Sequence, residues 1–241
     1  MVPSWTESLL VCGVQVVGRT RFCIHPEAAV KNIPAVGGTK NWDLSLVRDL
    51  NADFILLDKE ENPKEMFAAD PDKCVVTHVE RVEDVGPALK ILSQKFENKN
   101  LLEMSERWEA VARRPIKKRL PHEIPGIIDW IKRPNTQADN SELRYVIWKN
   151  PWMAVSPETF IGSQLTHLGF GDSLSRHEKK YYEFELKQIS KSTIFLFSTE
   201  PYPFHKKRSD LEKLDFASAI INGEDYSWFG IRALEFLEKN K

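Results

Sequence analysis

The chain has 241 residues, enough for two domains of about 100 residues each. With 41% hydrophobic and 10% aromatic residues it can bury a substantial core, which excludes a wholly disordered protein. Its 34 basic and 35 acidic residues give a formal net charge of -1, so no global positive field favours nucleic acid or an anionic membrane.

The cysteines and the N-terminal residues bear on the compartment. Three cysteines without a CxxC spacing argue against a disulfide framework and against a structural zinc site. No apolar stretch approaches the roughly 20 residues that a transmembrane helix needs. The first residues lack the basic start and the apolar core of a secretory signal. We therefore expect a cytoplasmic protein or one whose leader has been removed.

Helical and strand-like patterns alternate through the first half. In chain order they predict a helix over residues 6–12, a strand over 14–18, a helix over 43–50, a strand over 54–57, a helix over 62–69, a strand over 74–78 and a helix over 82–96. Strands that alternate with helices in this way predict a parallel sheet covered by helices on both faces.

The middle of the chain changes character. Residues 101–113 have a strong helical period, which Pro115 and Pro121 end because proline does not continue a helix interior. Residues 115–141 mix prolines, charges and one apolar patch, a pattern that indicates an irregular connection. The later patterns predict a strand over 143–148, a helix over 160–168, a strand over 193–197 and a helix over 229–237.

These patterns together predict an α/β fold class. We expect two Rossmann-like α/β lobes with parallel sheets, joined by a single long helix. The predicted bounds are an N-terminal lobe over residues 1–97, a connecting helix over 98–114, the irregular connection over 115–141 and a C-terminal lobe over 142–241.

Aromatic and charged residues follow the predicted strands in both halves. In open α/β sheets, ligands bind beyond the carboxyl ends of the strands. Each segment alone is equally compatible with ordinary loop chemistry, but their joint occurrence favours a cleft for a large amphipathic ligand. The segments are residues 19–26, 58–62, His78, 148–152 and 198–204.

Two residue pairs are candidates for catalysis or metal binding. Cys23 and His25 would share one face of an extended segment, as a metal-binding or thiolate–imidazolium pair requires. No third ligand stands at a recognised spacing, so a structural role is favoured. Glu60 and Glu61 are candidates for paired-carboxylate chemistry, and equally for a solvated helix N-terminus. The GxGxxG, GxSxG, HExxH and P-loop patterns are absent. We predict a binding protein without catalytic residues, resident metal or cofactor, and keep an enzyme using Cys23 and His25 as a lesser alternative.

Six segments, in order, carry a resemblance to a known family. They are VPSWTESLLVCG, VVGRTRFCIHP, VGGTKNWDLSLVRDLNADFILLDKEEN, IWKNPWMAVSPETFIGSQLTHLGFGD, FLFSTEPYPF and INGEDYSWFGIRALEFL. The chain resembles the helical-backbone (class III) substrate-binding proteins of ABC importers, which carry cobalamin, ferric siderophores and haem. Within that class it is similar to a subgroup labelled cobalamin-binding.

The resemblance implies a function and a set of site residues. It implies two lobes joined by a rigid helix over residues 98–114, with a cobalamin or metal chelate captured between the lobes. It also implies a periplasmic monomer that delivers its ligand to ABC-importer membrane subunits and binds no nucleic acid. Carried over by position, the ligand-binding residues are Ser4, Trp5, Phe22, His25, Lys59, Trp148, Trp152, Tyr202, Phe204, Trp228 and Arg232.

Two features depart from the family pattern. Members that dock on a transporter carry one glutamate on each lobe; the C-terminal position matches Glu183, whereas the N-terminal position holds Ser45. The family also has a strand and a leader before the VPS motif, at which this chain begins. Either the start of the chain is truncated, or the alternative holds, a cytoplasmic ligand-binding or sensor protein of the same fold without a transporter partner.

Overall fold

The computed structural model describes residues 2–134 and 141–241. The chain divides into two compact units, the first formed by Met1–Arg113 and Trp228–Glu235 and the second by Arg114–Ser227 and Phe236–Lys241. These bounds differ from the predicted ones in two ways. The helix expected between the lobes belongs to the first unit, and the chain returns to that unit near its end.

The first unit is mainly helical. Its elements in chain order are α1 (Pro3–Val11), α2 (Glu27–Val30), α3 (Leu44–Asp49), β1 (Ile55–Asp58), α4 (Lys64–Ala69), β2 (Cys74–Thr77), α5 (Val82–Lys95) and α6 (Lys99–Ala112). Strands β1 and β2 pair in parallel, with Ile55 opposite Cys74. The predicted helices and all but one of the predicted strands of this half are confirmed to within a turn.

Helices α5 and α6 pack closely because a glycine lies at their contact. The Ser105 hydroxyl of α6 donates to the Gly86 carbonyl of α5 at 2.7 Å. A Cβ atom at Gly86 would lie 3.1 Å from Glu109 Cγ and 3.3 Å from the Ser105 carbonyl oxygen. Asn98 caps the start of α6 by accepting from the Leu101 N–H at 3.1 Å, which satisfies one of the unpaired donors of the first turn.

The predicted strand over residues 14–18 is wrong. Residues 15–18 make no backbone hydrogen bond to any residue in the described part of the chain. A cavity of about 540 Å³ lies beside them, lined also by residues 50–56 and 95–97. An apolar β-branched run favours a strand only where a second strand completes the ladder. In the described part of the chain, no strand lies beside residues 14–18 to complete such a ladder.

The second unit is built on a six-stranded mixed sheet in the order β3-β8-β7-β4-β5-β6. Its elements are β3 (Ile127–Lys132), β4 (Leu143–Trp148), β5 (Met153–Val155), α7 (Phe160–His167), β6 (Tyr181–Glu183), β7 (Ile194–Ser198), α8 (Arg208–Leu211), β8 (Ala217–Ile221) and α9 (Gly223–Ser227). Helix α10 (Ile231–Lys239) begins in the first unit and ends in the second.

Only the centre of this sheet is parallel. Strands β4, β7 and β8 run parallel to one another, whereas β3, β5 and β6 pair antiparallel with their neighbours. The expectation of a purely parallel sheet therefore holds for the three central strands alone. Side chains from the central strands, including Phe195 and Phe197, form a buried cluster with Phe204 and Leu211.

The predicted irregular connection over 115–141 is corrected in its middle part. Its apolar patch forms β3, an edge strand paired with β8. The alternation there is broken by Asp129 and by bulges in the pairing, which is why the pattern did not indicate a strand. Residues 135–140 of this segment lie outside the described residues. In the part of the chain that is described, no helix is long and apolar enough to cross a membrane.

Candidate ligand-binding site

Two of the predicted ligand contacts, Ser4 and Trp5, lie in the first turns of α1 and are buried. Trp5 has no exposed surface; its Nε1 donates to the Thr77 hydroxyl at 2.9 Å and its ring meets Phe229 edge-on at 5.0 Å between centroids. Trp5 therefore ties α1 to β2 and to the segment before α10. Its role in the described structure is to position this part of the unit.

A buried carboxyl group joins the carboxyl ends of β1 and β2. The Thr77 hydroxyl donates to Asp58 Oδ2 at 2.6 Å, and the Glu60 backbone N–H donates to Asp58 Oδ1 at 2.9 Å. Burial raises the pKa of Asp58, and these hydrogen bonds partly oppose that rise. The loop after β1 is thus fixed to the end of β2, at the sheet edge where ligands of α/β proteins bind.

The structure brings three of the predicted residues together in the first unit. The half-buried His25 ring lies edge-on to Trp228, with 5.4 Å between centroids. The Arg232 guanidinium lies 5.5 Å from the centroid of the same indole ring. These three side chains therefore lie together. The imidazole can bind a metal, the indole offers apolar area and the guanidinium carries positive charge.

A residue that sequence reasoning missed positions this group. Glu7 of α1 accepts two hydrogen bonds from Arg232, at 2.6 Å and 3.0 Å, across 225 positions of sequence. The Glu7 side chain is only 10% exposed and that of Arg232 23%, so the pair is largely desolvated. No local pattern marks Glu7, because its partner is distant in sequence.

Phe22 is a different case, since 47% of its surface is exposed. The Arg21 guanidinium lies over its ring, 4.9 Å from the centroid. An exposed aromatic ring beside a cation is available for contact with an apolar ligand that carries acidic groups.

The Cys23–His25 pair gains no support as a reactive centre. Cys23 has no exposed surface, and its Sγ lies 3.1 Å from the hydroxyls of both Thr6 and Thr20. The His25 ring packs instead against Trp228. A sulfur enclosed in this way fits the structural role that the sequence favoured.

Glu60 and Glu61 have different surroundings. Glu60 Oε1 lies 3.3 Å from His78 Nε2. The half-buried Glu61 carboxyl accepts no hydrogen bond from a described residue, and burial raises its pKa while Lys40 partly opposes the rise. The neighbouring Lys59 is exposed, with its backbone N–H donating to the Thr77 carbonyl at 3.0 Å. These surroundings do not support a cooperating carboxylate pair.

The predicted contacts of the second unit form an aromatic cluster. Trp148 is 40% exposed and meets Tyr202 edge-on at 5.5 Å, while the half-buried Trp152 stacks on Phe204 at 6.1 Å. Phe204 itself is fully buried and packs against Trp152 and Tyr202 from the core, and its contact with a ligand stays a prediction. The exposed parts of Trp148, Trp152 and Tyr202 remain available to a ligand.

The two predicted docking positions are both on the surface. Glu183 is exposed in β6, which lies at one edge of the second unit's sheet. Ser45 is exposed at the start of α3, and its hydroxyl donates to Asp43 Oδ1 at 2.5 Å. Ser45 thus completes the cap of α3 and carries no charge.

Comparisons with known proteins bear on the fold. No family model matches the sequence, and no curated protein sequence matches it. Among solved structures, the chain is similar to the periplasmic vitamin B12 binding protein BtuF of Vibrio cholerae, with 12% identity and a TM-score of 0.69 over 100% of this chain and 92% of that one.

Two further structures give the same result. S. aureus IsdE, solved in complex with heme, matches 99% of this chain and 94% of its own with 13% identity and a TM-score of 0.68. An ABC transporter substrate-binding protein from Listeria monocytogenes EGD-e matches 100% of this chain and 95% of its own with 12% identity and a TM-score of 0.66. The chain therefore has the fold of the helical-backbone substrate-binding proteins of ABC importers.

Proposed function

We propose that this protein is a substrate-binding protein that captures a cobalamin or a metal chelate, such as a ferric siderophore or haem, for an ABC importer. The observation that supports this most is the similarity of fold over the whole chain to proteins named for binding vitamin B12 or heme. On this proposal the protein performs no chemistry on its ligand and acts in the periplasm, as the V. cholerae protein does.

The side chains of each unit suit such a ligand. Corrin and porphyrin rings are large and flat, so they need apolar area together with a few polar groups that fix their orientation. Exposed faces of Phe22 and Trp148 supply apolar area. His25 offers an imidazole of the kind that binds iron or cobalt, and Arg232 offers a guanidinium that suits acidic substituents.

The test is a calorimetric titration of the purified protein with cyanocobalamin, haem and a ferric siderophore. We expect one of them to bind with a Kd of about 1 μM or below, equivalent to about -8.2 kcal/mol. The Trp228→Ala and Trp152→Ala variants are each expected to weaken that binding about 10-fold or more. Trp130→Ala, in the edge strand β3, is the matched control and should bind normally. Absence of detectable binding of all three ligands at about 100 μM contradicts the proposal.

One observation favours the alternative of a binding or sensor protein without a transporter partner. The position expected to hold a docking glutamate holds Ser45, whose hydroxyl is engaged with Asp43. The two functions differ in what Glu183 does. Import predicts that Glu183→Arg abolishes ligand uptake by cells while calorimetric affinity is unchanged. Uptake that is unaffected by this variant, with native protein recovered only in the cytoplasmic fraction, supports the alternative.

A further inference from the structure

We propose that Glu60, His78 and Glu80 form a binding site for one divalent transition-metal ion, with Zn²⁺ the best match. The three residues lie in the loops that follow β1 and β2, within the first unit. Their ligating atoms all lie within 4.8 Å of one another. The site takes the bare ion, and its test does not depend on the chelate-binding function proposed above.

The distances match the coordination shell of a small ion. His78 Nε2 lies 3.3 Å from Glu60 Oε1 and 3.2 Å from Glu80 Oε1. Two ligands of a tetrahedral zinc ion, each bound at about 2.0 to 2.1 Å, are about 3.3 Å apart. Two of the three separations therefore match a shared ion, and the third, between the Glu60 and Glu80 oxygens, lies within 4.8 Å.

A metal ion can engage these three ligating atoms together, whereas a single N–H bond cannot. His78 Nε2 faces two carboxylate oxygens at nearly equal distances. The single N–H of that atom can point at only one of them, because a hydrogen bond weakens steeply away from linearity. An ion placed between the three atoms interacts with both oxygens and with the imidazole nitrogen at once.

The backbone around the ligands is held in place. The Glu60 N–H donates to the buried Asp58 carboxyl at 2.9 Å, and Lys40 Nζ donates to the Glu60 carbonyl at 3.2 Å. The Glu80 N–H donates to Asp84 Oδ2 at 3.0 Å. His78 directly follows Thr77, the residue whose hydroxyl donates to Asp58. Fixed ligand loops reduce the entropy that is lost when an ion is bound.

The donor set and its exposure select the kind of ion. One imidazole nitrogen and two carboxylate oxygens suit Zn²⁺ and related transition metals, whereas Ca²⁺ and Mg²⁺ prefer oxygen alone. The side chains are 42%, 33% and 31% exposed for His78, Glu60 and Glu80. An ion from solvent can reach them, and water fills the fourth position.

The test is a titration of the full chain with ZnCl₂ by calorimetry and with CoCl₂ by visible absorption. We expect one equivalent of Zn²⁺ to bind with a Kd in the range of about 1 to 100 μM. Removing a direct ligand should cost more than the 10- to 100-fold typical of second-layer residues, so His78→Ala should weaken binding by about 100-fold or more. Glu60→Gln and Glu80→Gln each keep a weaker amide-oxygen ligand, so each should weaken binding by about 10-fold or more.

Two variants separate this site from other metal-binding groups. His205→Ala removes an exposed imidazole of the second unit, and Cys74→Ser removes a half-exposed thiol. Both should retain full Zn²⁺ affinity, and bound Co²⁺ should show no thiolate charge-transfer band. The proposal is overturned if Zn²⁺ does not bind at about 1 mM, if His78→Ala binds as tightly as the parent protein, or if Cys74→Ser abolishes binding. None of these outcomes depends on cobalamin, haem or siderophore binding.

Discussion

The ion pair of Glu7 and Arg232 is the residue-scale contact whose loss we expect to cost most. Glu7→Gln keeps the size of the side chain but removes a charge that accepts two hydrogen bonds in a largely desolvated place. Hydrogen bonds to charged groups contribute about 1.5 to 3 kcal/mol, so the free energy of unfolding should fall by about that amount. Urea unfolding with an unchanged m-value measures it.

The control is another glutamate–arginine pair in the same unit. Glu109 of α6 pairs with Arg113, the residue that follows the helix, and the Arg113 side chain is 76% exposed. Exposed pairs contribute about 0 to 1 kcal/mol, so Glu109→Gln should change stability little. Equal losses in Glu7→Gln and Glu109→Gln would show that desolvation of the first pair has no energetic consequence.

Glu61 gives a prediction with a defined pH dependence. Its pKa is raised in the native state by burial. Below the pKa that Glu61 has in the unfolded chain, the group is protonated in both states, so its ionisation does not change the free energy of unfolding. As the pH rises from there through the native pKa, the unfolded state releases its proton first and native stability falls. Glu61→Gln should therefore be more stable than the parent protein at about pH 7.

The stability gain of Glu61→Gln should depend on pH. Urea midpoints measured from about pH 7 down to about pH 4 should show the advantage of Glu61→Gln shrinking as the pH falls. Glu65→Gln, an exposed position in the first turn of α4, serves as control and should not gain stability over the parent protein at about pH 7. A parent protein more stable than Glu61→Gln at about pH 7 would mean that Lys40 outweighs burial.

At the scale of elements, strong periodicity was the reliable signal. Amphipathic α5 and α6 and the fully buried strands β1 and β7 were predicted because each buries a continuous apolar face or run. Strands β5 and β6 have three residues each, too few to show a period. Strand β8, Ala-Ser-Ala-Ile-Ile, begins with small residues that mark no strand. Residues 14–18 have the composition of a strand but lack a pairing partner in the described structure.

The contact of α5 with α6 supplies an element-scale prediction. Gly86→Val places branched carbon against Glu109 Cγ and the Ser105 carbonyl, at a point where even a Cβ atom is 3.1 and 3.3 Å away. Overpacking of this kind costs about 1 to 3 kcal/mol of unfolding free energy, measured by urea titration. Lys90→Val introduces the same side chain at an exposed position of α5 and carries only the small propensity cost. Equal stability of the two variants would contradict the packing argument.

At the scale of the whole molecule, the sequence predicted the fold better than the site. Six ordered segments carried the resemblance that the solved structures support at the level of fold. The site residues were carried over by position, and position does not report burial. Trp5 and Phe204 proved fully buried, and Glu7 was missed because its partner lies at the other end of the chain. The capture of ligand between two lobes stays a prediction.

The last prediction uses His25 to separate the two ligand classes. A ligand that binds only the native state at 100 times its Kd stabilises the protein by about 2.7 kcal/mol, which thermal or urea unfolding detects. If haem is the ligand and the His25 imidazole binds its iron, His25→Ala should abolish most of this stabilisation and alter the visible spectrum of the complex. If cobalamin is the ligand and keeps its own lower axial ligand, its complex with His25→Ala should lose only the contact with the imidazole ring. The visible spectrum of that complex should be unchanged.

The control for this experiment is His167→Ala, at the end of α7 in the second unit. It removes an imidazole of the second unit, whereas Trp228, the ring against which His25 packs, belongs to the first. Loss of haem binding in both histidine variants would indicate a general disturbance of the fold, and retention in both would remove His25 as the iron ligand. Loss in His25→Ala alone, with the spectral change, would establish a haem-type chelate and make the imidazole its protein ligand. If instead both histidine variants still bind cobalamin and Trp228→Ala does not, the Trp228 ring contacts the corrin.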